Sequence, residues 1–332
     1  MKFGKKTAFA ALVAASALVF AGCAGGGDVI EEGSGDGGSG DGEMYIALVS
    51  KGFQHQFWQA VKQGAQEKAD ELGVKITFEG PAAETAIAQQ LEMLTTAIDK
   101  NPDAIAYAAL DPEACVAPLE QAKAKDIPVV YFDAPCDGDV GLSLSATDSK
   151  VAGALAAEHM AELIGGKGEV AIVGHSNINS TGVERRDGFV EKIEADFPDI
   201  KIVDIQYGDG DHLKSADIAK TLIAAHPDLK GIYGTNEGSA IGVVNAVNEL
   251  GLEKGKITIV GFDSGAAQIN AIKDGTMAGA ITQDPIGIGA QVVQAAYDAA
   301  NGKDVEEFYD TGSYWYDSTN IEDEKIAAVL YQ

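Results

Sequence analysis

From residue 44 onward, short apolar runs rich in β-formers alternate with longer segments of helical period, and this alternation restricts the chain more than any other feature. Residues 45–49 read as a first strand, after which Phe57, Val61, Ala65, Lys68 or Ala69, and Leu72 recur at the helical interval until Gly73 closes the helix. Strands at 74–78, 104–108 and 128–132 follow, separated by helices at 85–99 and 112–125. A second series then begins, with helices at 150–164, 181–197, 213–225 and 239–250 and strands at 169–173, 201–206, 231–235 and 257–262. Ile257-Thr258-Ile259-Val260 is apolar nearly throughout, as a strand must be when helices cover both faces of a parallel sheet. The fold class is therefore α/β, with two doubly wound parallel-sheet lobes.

The length of 332 residues accommodates about two domains. With 24 Lys and Arg against 51 Asp and Glu, the net charge of −27 excludes a broad phosphate-binding surface and hence a nucleic-acid partner. The N-terminal segment differs from the rest. Lys2, Lys5 and Lys6 precede an apolar run at 7–21 that is short for a membrane span, which is the pattern of an export signal over 1–22. Phe20-Ala21-Gly22-Cys23 resembles a bacterial lipobox, in which Cys23 would become the lipidated, palmitate-bearing first residue of the mature lipoprotein. Residues 24–43 are almost entirely Gly, Ser, Asp and Glu and form a flexible acidic tether of roughly 25 Å.

Ligands of doubly wound sheets bind beyond the carboxyl ends of the strands. The exits here carry residues 50–58, 109–111, 133–136, 174–181, 207–211, 236–237, 263–264 and 283–284, rich in amides, carboxylates and aromatics. Cys115 and Cys136 reach the same sheet edge. There a disulfide is geometrically sensible, and two buried free thiols are the alternative. Catalytic signals are missing from the usual places. Gly174-His175-Ser176-Asn177-Ile178 lacks the second glycine of a nucleophile elbow, and Gly165-Gly166-Lys167-Gly168 lacks the spacing of a P-loop. Gly287-Ile288-Gly289 lacks the third glycine of a dinucleotide fingerprint, and no two of the five histidines have metal-ligand spacing. No enzyme, cofactor or metal is expected. A neutral polyol suits the exits, because carboxylates, amides and guanidinium pair its hydroxyls while an aromatic ring covers its C–H face.

Five segments carry a more specific signal. They are Gln54-His55-Gln56-Phe57-Trp58, Ile127-Pro128-Val129-Val130-Tyr131-Phe132-Asp133, Glu184-Arg185-Arg186-Asp187-Gly188-Phe189, His226-Pro227-Asp228 leading to Asn236-Glu237, and Val260-Gly261-Phe262-Asp263. Through them, residues 44 to about 316 resemble the ribose-type periplasmic sugar-binding proteins, the type I solute-binding components of ABC importers. The resemblance implies that Phe57 and Trp58 sandwich a sugar and that His55 stands in for a hydrogen-bonding amide. It further implies that Asp133 accepts from two hydroxyls, that Arg185 donates to ring and hydroxyl oxygens, and that Asn236, Asp263 and Gln283 complete the set. Asp263 is also placed to cap the helix after it.

The same resemblance implies a three-crossing hinge, with 44–146 plus 284–312 as the N-terminal lobe and 147–283 plus 313–332 as the C-terminal lobe. It implies a monomer that captures a monosaccharide, ribose-like or a hexose, outside the cell membrane and delivers it to an ABC permease. Two departures bear on the ligand: Ala134 follows Asp133 where ribose binders carry Arg, and Gly210 stands where they carry an aromatic. These leave room for a different sugar, a nucleoside or thio-sugar, or a sensed sugar-like signal such as autoinducer-2.

Overall fold

A computed structural model describes residues 43–331 of the protein. The expected export signal, Cys23 and all but the last residue of the tether fall outside that range. The first lobe opens with β1 (Tyr45–Val49), α1 (Gln56–Leu72), β2 (Lys75–Glu79), α2 (Ile87–Asp99), β3 (Ala104–Tyr107), α3 (Val116–Lys123), β4 (Val129–Phe132) and β5 (Gly141–Ala146). The second contains α4 (Ser149–Ile164), β6 (Gly168–Gly174), α5 (Ser180–Asp196), β7 (Ile200–Tyr207), α6 (His212–Ala225) and β8 (Leu229–Gly234). It continues with α7 (Glu237–Glu249), β9 (Thr258–Phe262), α8 (Ala266–Lys273) and β10 (Gly279–Gln283). Then come α9 (Pro285–Ala300), β11 (Phe308–Asp310), β12 (Ser313–Asp317) and α10 (Glu324–Ala327).

Among the described residues these strands make two six-stranded sheets, ordered β11-β5-β4-β3-β1-β2 and β12-β10-β9-β8-β6-β7. Every pairing is parallel except β10 with β12. The period-2 alternation of each strand builds two cores per sheet. Ile46 and Leu48 of β1 enter one cluster with α1 and α9, whereas Ala47 and Val49 enter another that includes α2 and α3. In the second sheet Ala171 and Val173 face α6 and α7, and Val170 and Ile172 face α4 and α5. The two lobes expected from the strand–helix alternation are therefore present. Residues 141–146 carry no helical period and do not read as a strand in the sequence. They pair in parallel with β4, and β11 covers their outer edge.

The chain passes from the first sheet to the second between β5 and α4, returns between β10 and α9, and passes again between β11 and β12. Both sheets have the 2-1-3-4-5 order in their own numbering, which places topological switch points at β1/β3 and β6/β8. Cys115, at the start of α3, and Cys136, beyond β4, form a disulfide with Cα atoms 6.1 Å apart.

Two helix pairs set the depth of packing. α1 and α9 approach through Gly64 and Gly289, and α4 and α5 through Gly153 and Gly188, each against backbone of the facing helix. A Cβ on Gly153 would overlap the carbonyl of Arg185, so this approach fixes where α5 carries that side chain. Gly153→Ala should destabilise the protein by about 1–3 kcal/mol in urea unfolding, although Ala is the better helix former by about 1 kcal/mol. A stabilised variant would show that α4 and α5 do not meet this closely.

Candidate ligand-binding site

The carboxyl ends of both sheets face each other across a small buried cavity. Lys51, His55, Phe57, Trp58, Glu84 and Asp133 line it from the first lobe, and His175, Arg185, Asn236, Asp263 and Gln283 from the second. All eight ligand residues expected from the sequence thus lie together. Lys51, Glu84 and His175 join them.

Asp133 follows β4 and Asp263 follows β9, so each carboxylate leaves the fourth strand of its sheet. Both adopt the left-handed conformation, at φ 60° and 79° respectively. That conformation is uncommon for residues other than glycine and turns the chain out of the ladder at the cleft. The Asp263 carboxylate accepts from the Glu237 amide at 2.9 Å and from Gln283 Nε2 at 2.7 Å. It does not cap the next helix, as the sequence suggested: the N-cap of α8 is Gly265, two residues further on, and Asp263 instead holds the first turn of α7. Asn236 caps α7, accepting from the Ser239 amide at 2.8 Å, which leaves its Nδ2 toward the cavity and 3.5 Å from His55 Nε2.

Arg185 is buried on α5 with its guanidinium 3.7 Å from the centroid of Phe262, and it donates to the Thr235 carbonyl at 3.1 Å. The aromatic face accounts for burying this cation away from a carboxylate. Behind it His175 is held by Thr235 and Thr181. Burial, followed by the charges of Arg185, Lys51 and His55, keeps its imidazole well below its ordinary pKa and so neutral.

Phe57 and Trp58 lie in the first turn of α1. Their rings meet at 83° with centroids 4.9 Å apart, which makes an apolar corner and leaves no slot between parallel faces. The expected sandwich is corrected accordingly: adjacent residues on one helix cannot oppose their rings across a ligand. Trp58 donates its indole N–H to Glu84 at 2.7 Å. His55 is the N-cap residue of α1 without capping it through its side chain, so the ring remains in the cavity, stacked 6.1 Å from His212.

Lys51 lies at the exit of β1. Its Nζ pairs with Asp133 at 2.7 Å, both side chains being at most 4% exposed, and reaches Thr181 of the other lobe at 3.1 Å. It thereby supplies the cation beside Asp133 that Ala134 cannot. Lys51 and His175 fall within strand exits that the sequence singles out. Glu84 lies in the loop beyond β2, which is not among the strand exits that the sequence singles out. Burial would raise the Glu84 pKa, but Lys51, His55, Trp58 and Arg185 together bring it below its ordinary value. Further cross-lobe bonds close the cleft, the Gln56 amide donating to Glu237 at 3.2 Å and the Ala266 amide to Gln56 Oε1 at 2.7 Å.

The sequence profile of the family described as "Periplasmic binding protein domain" matches residues 46–304. The chain belongs to this periplasmic binding protein family. It is 31% identical over 261 residues to the D-allose-binding periplasmic protein of Escherichia coli, covering 76% of this chain and 83% of that one. A ribose import binding protein of Salmonella typhimurium is 30% identical, with 80% and 87% covered. Among solved structures, an ABC transporter solute-binding protein of Agrobacterium vitis bound with α-D-tagatopyranose superposes with a TM-score of 0.84 at 31% identity. It covers 87% of this chain and all of that one. A second protein from that organism, with bound D-fucose, gives 0.83 at 33% identity and covers 86% and 100%. The type I fold of the periplasmic binding proteins is thus the fold of this chain.

Glu237 offers a pH test of this arrangement. Burial, then the neighbouring Asp263 charge, pushes its carboxyl from 4.5 up to about 7. Folding therefore favours the protonated form, and stability from this group is full below the unfolded pKa and is lost as pH rises toward 7. Glu237→Gln, which keeps the acceptor for Gln56 and removes the charge, should raise the thermal midpoint at about pH 8 and converge on the wild type below about pH 5. A gap that does not change with pH would show that Glu237 is not ionised against its surroundings.

Proposed function

We propose that the protein is an extracytoplasmic solute-binding lipoprotein that captures a neutral monosaccharide between its lobes and delivers it to an ABC permease. One observation carries the reading: acceptors at Asp133 and Asp263 and donors at Arg185, Asn236 and Gln283 converge from both lobes on an apolar corner made by Phe57 and Trp58. A sugar presents hydroxyls that both donate and accept along its rim and C–H groups on its face, so each half of the cavity has a counterpart on it. The relatives point the same way, since their names and bound ligands are uncharged sugars. Carboxylates in and beside the cavity outnumber its cations, which disfavours a phosphorylated ligand.

Closure around the ligand follows from the topology. With contacts contributed by both lobes, a sugar binds the closed arrangement better than an open one, and that difference is the only lever by which it can shift the balance. In this reading the signal at 1–22 directs export, lipid on Cys23 holds the protein at the outer face of the membrane, and the acidic tether sets the body off the surface. It acts as a monomer and releases its ligand chemically unchanged.

A thermal-shift panel of D-allose, D-ribose, D-tagatose and D-fucose, with their phosphates as controls, tests the ligand class, because a ligand that binds only the folded protein raises its midpoint by mass action. A shift with a sugar phosphate and none with any neutral sugar would overturn the reading. Within the site, Asp133→Asn should weaken binding of the sugar so found by about 100-fold in titration calorimetry. It should also lower the midpoint of the empty protein, since Lys51 stays buried without its carboxylate. Adding Lys51→Met should recover the midpoint but not the binding. Wild-type affinity in Asp133→Asn would place the sugar elsewhere.

A further inference from the structure

After β12 the chain does not end on the second lobe. Ile321, Ile326 and Leu330 pack on the core of that lobe, and Thr282 of β10 donates to the Val329 carbonyl at 3.3 Å. The next residue but one, Tyr331, belongs to the other core: it is 6% exposed, and its ring sits in the apolar cluster of the first lobe, 6.2 Å from Phe57 and at 67° to it. Its hydroxyl lies near the Ser264 backbone, with no hydrogen-bond partner at good geometry among the described residues. Ser264 is itself held by Thr282 at 2.9 Å, and the residue before it, Asp263, has its carbonyl bonded by Tyr316 at 2.7 Å. One ring therefore touches the apolar corner of the site on one lobe and the segment after its carboxylate on the other.

We propose that residues 318–331 are a clasp across the hinge, in which Tyr331 acts as a positioning residue: its ring seats Phe57 and, anchored through the tail to the second lobe, favours the closed arrangement. An aromatic pair of this geometry adds attraction beyond the area it buries. A tail fixed to one lobe by three apolar residues can keep that ring in the other lobe only while the lobes stay near their present separation. Opening must either withdraw the ring from beside Phe57 or peel Leu330 and Val329 from the second lobe. Because it is the ring that meets Phe57, phenylalanine should replace tyrosine with little loss.

The test needs no ligand and so stands apart from the sugar reading. Spin labels carried by unnatural amino acids at Thr85 and at Leu213, which is 75% exposed, report the distance across the cleft mouth in the ligand-free full-length protein with its disulfide intact. Wild type and Tyr331→Phe should show the same distance distribution with a closed population. Tyr331→Ala and a chain ending at Val329 should lose that population by about threefold to tenfold in the closed-to-open ratio, with far-ultraviolet circular dichroism unchanged. If Tyr331→Ala does not fold, Tyr331→Leu, which fills the space without a ring, takes its place with the same expected loss. A distribution indifferent to the residue at 331, or one that Tyr331→Phe alters as much as Tyr331→Ala, would show that the tail merely covers apolar surface.

Discussion

The pairing of Lys51 with Asp133 is the interaction on which the cleft depends. An ammonium and a carboxylate at most 4% exposed cannot persist singly, because removing either leaves a charge with nothing to replace its water. Their proximity lets the exits of β1 and β4 carry buried charged residues. Lys51 extends the same charge to Thr181 of the second lobe and lies 5.7 Å from the centroid of Trp58. Arg185 solves the same problem differently, by resting on Phe262 and a backbone carbonyl. Glu237 has no cation against it and is driven toward its neutral form instead. Ionised groups thus line the cavity, while Glu237, bonded to the Gln56 amide across the lobes, is shifted toward its neutral form.

The two aspartates show how the backbone serves this arrangement. Each leaves the fourth strand of its sheet with positive φ, and each donates its amide to the fifth strand, Asp133 to Ser145 at 3.0 Å and Asp263 to Ile281 at 2.6 Å. A left-handed aspartate costs of order 1–3 kcal/mol, and glycine would relieve that cost while deleting the carboxylate. The two lobes place the same side chain at the same point of the same strand order. The common constraint is geometric: at that exit the chain must turn away from the sheet, and a short carboxylate there reaches the cleft.

Much of this is legible in the residues because the signals are local. Continuous apolar strands bounded by helical period point to two parallel sheets. The rule that ligands lie beyond strand ends then selects Asp133, Asn236 and Asp263, and the segment from Glu184 to Phe189 marks Arg185 through its likeness to a family of sugar binders. What escapes the sequence depends on tertiary neighbours. β5 reads G-L-S-L-S-A, too small and polar to stand out as a strand, and it forms one because β4 and β11 flank it. The angle between Phe57 and Trp58 follows from their being adjacent on a helix, which argues for a corner once α1 is known to start at Gln56. Glu84 lies in a loop without pattern, and only the reach of Trp58 and Lys51 brings it to the site. The Cys115–Cys136 bond, one of the two states that the sequence leaves open, is settled by β3 and β4 being neighbours.

The crossings between the lobes lie directly beside the residues that line the cavity. Gln283 is the last residue of β10, immediately before the chain returns to the first lobe, and its amide holds Asp263. Ala146, at another crossing, ends the strand whose Ser145 carbonyl holds the amide of Asp133. Both left-handed aspartates are thus bonded, through their backbone amides, to strands that run directly into the crossings. In the reading proposed above, a compact ligand able to touch both carboxylates at once would supply the differential affinity that closure requires.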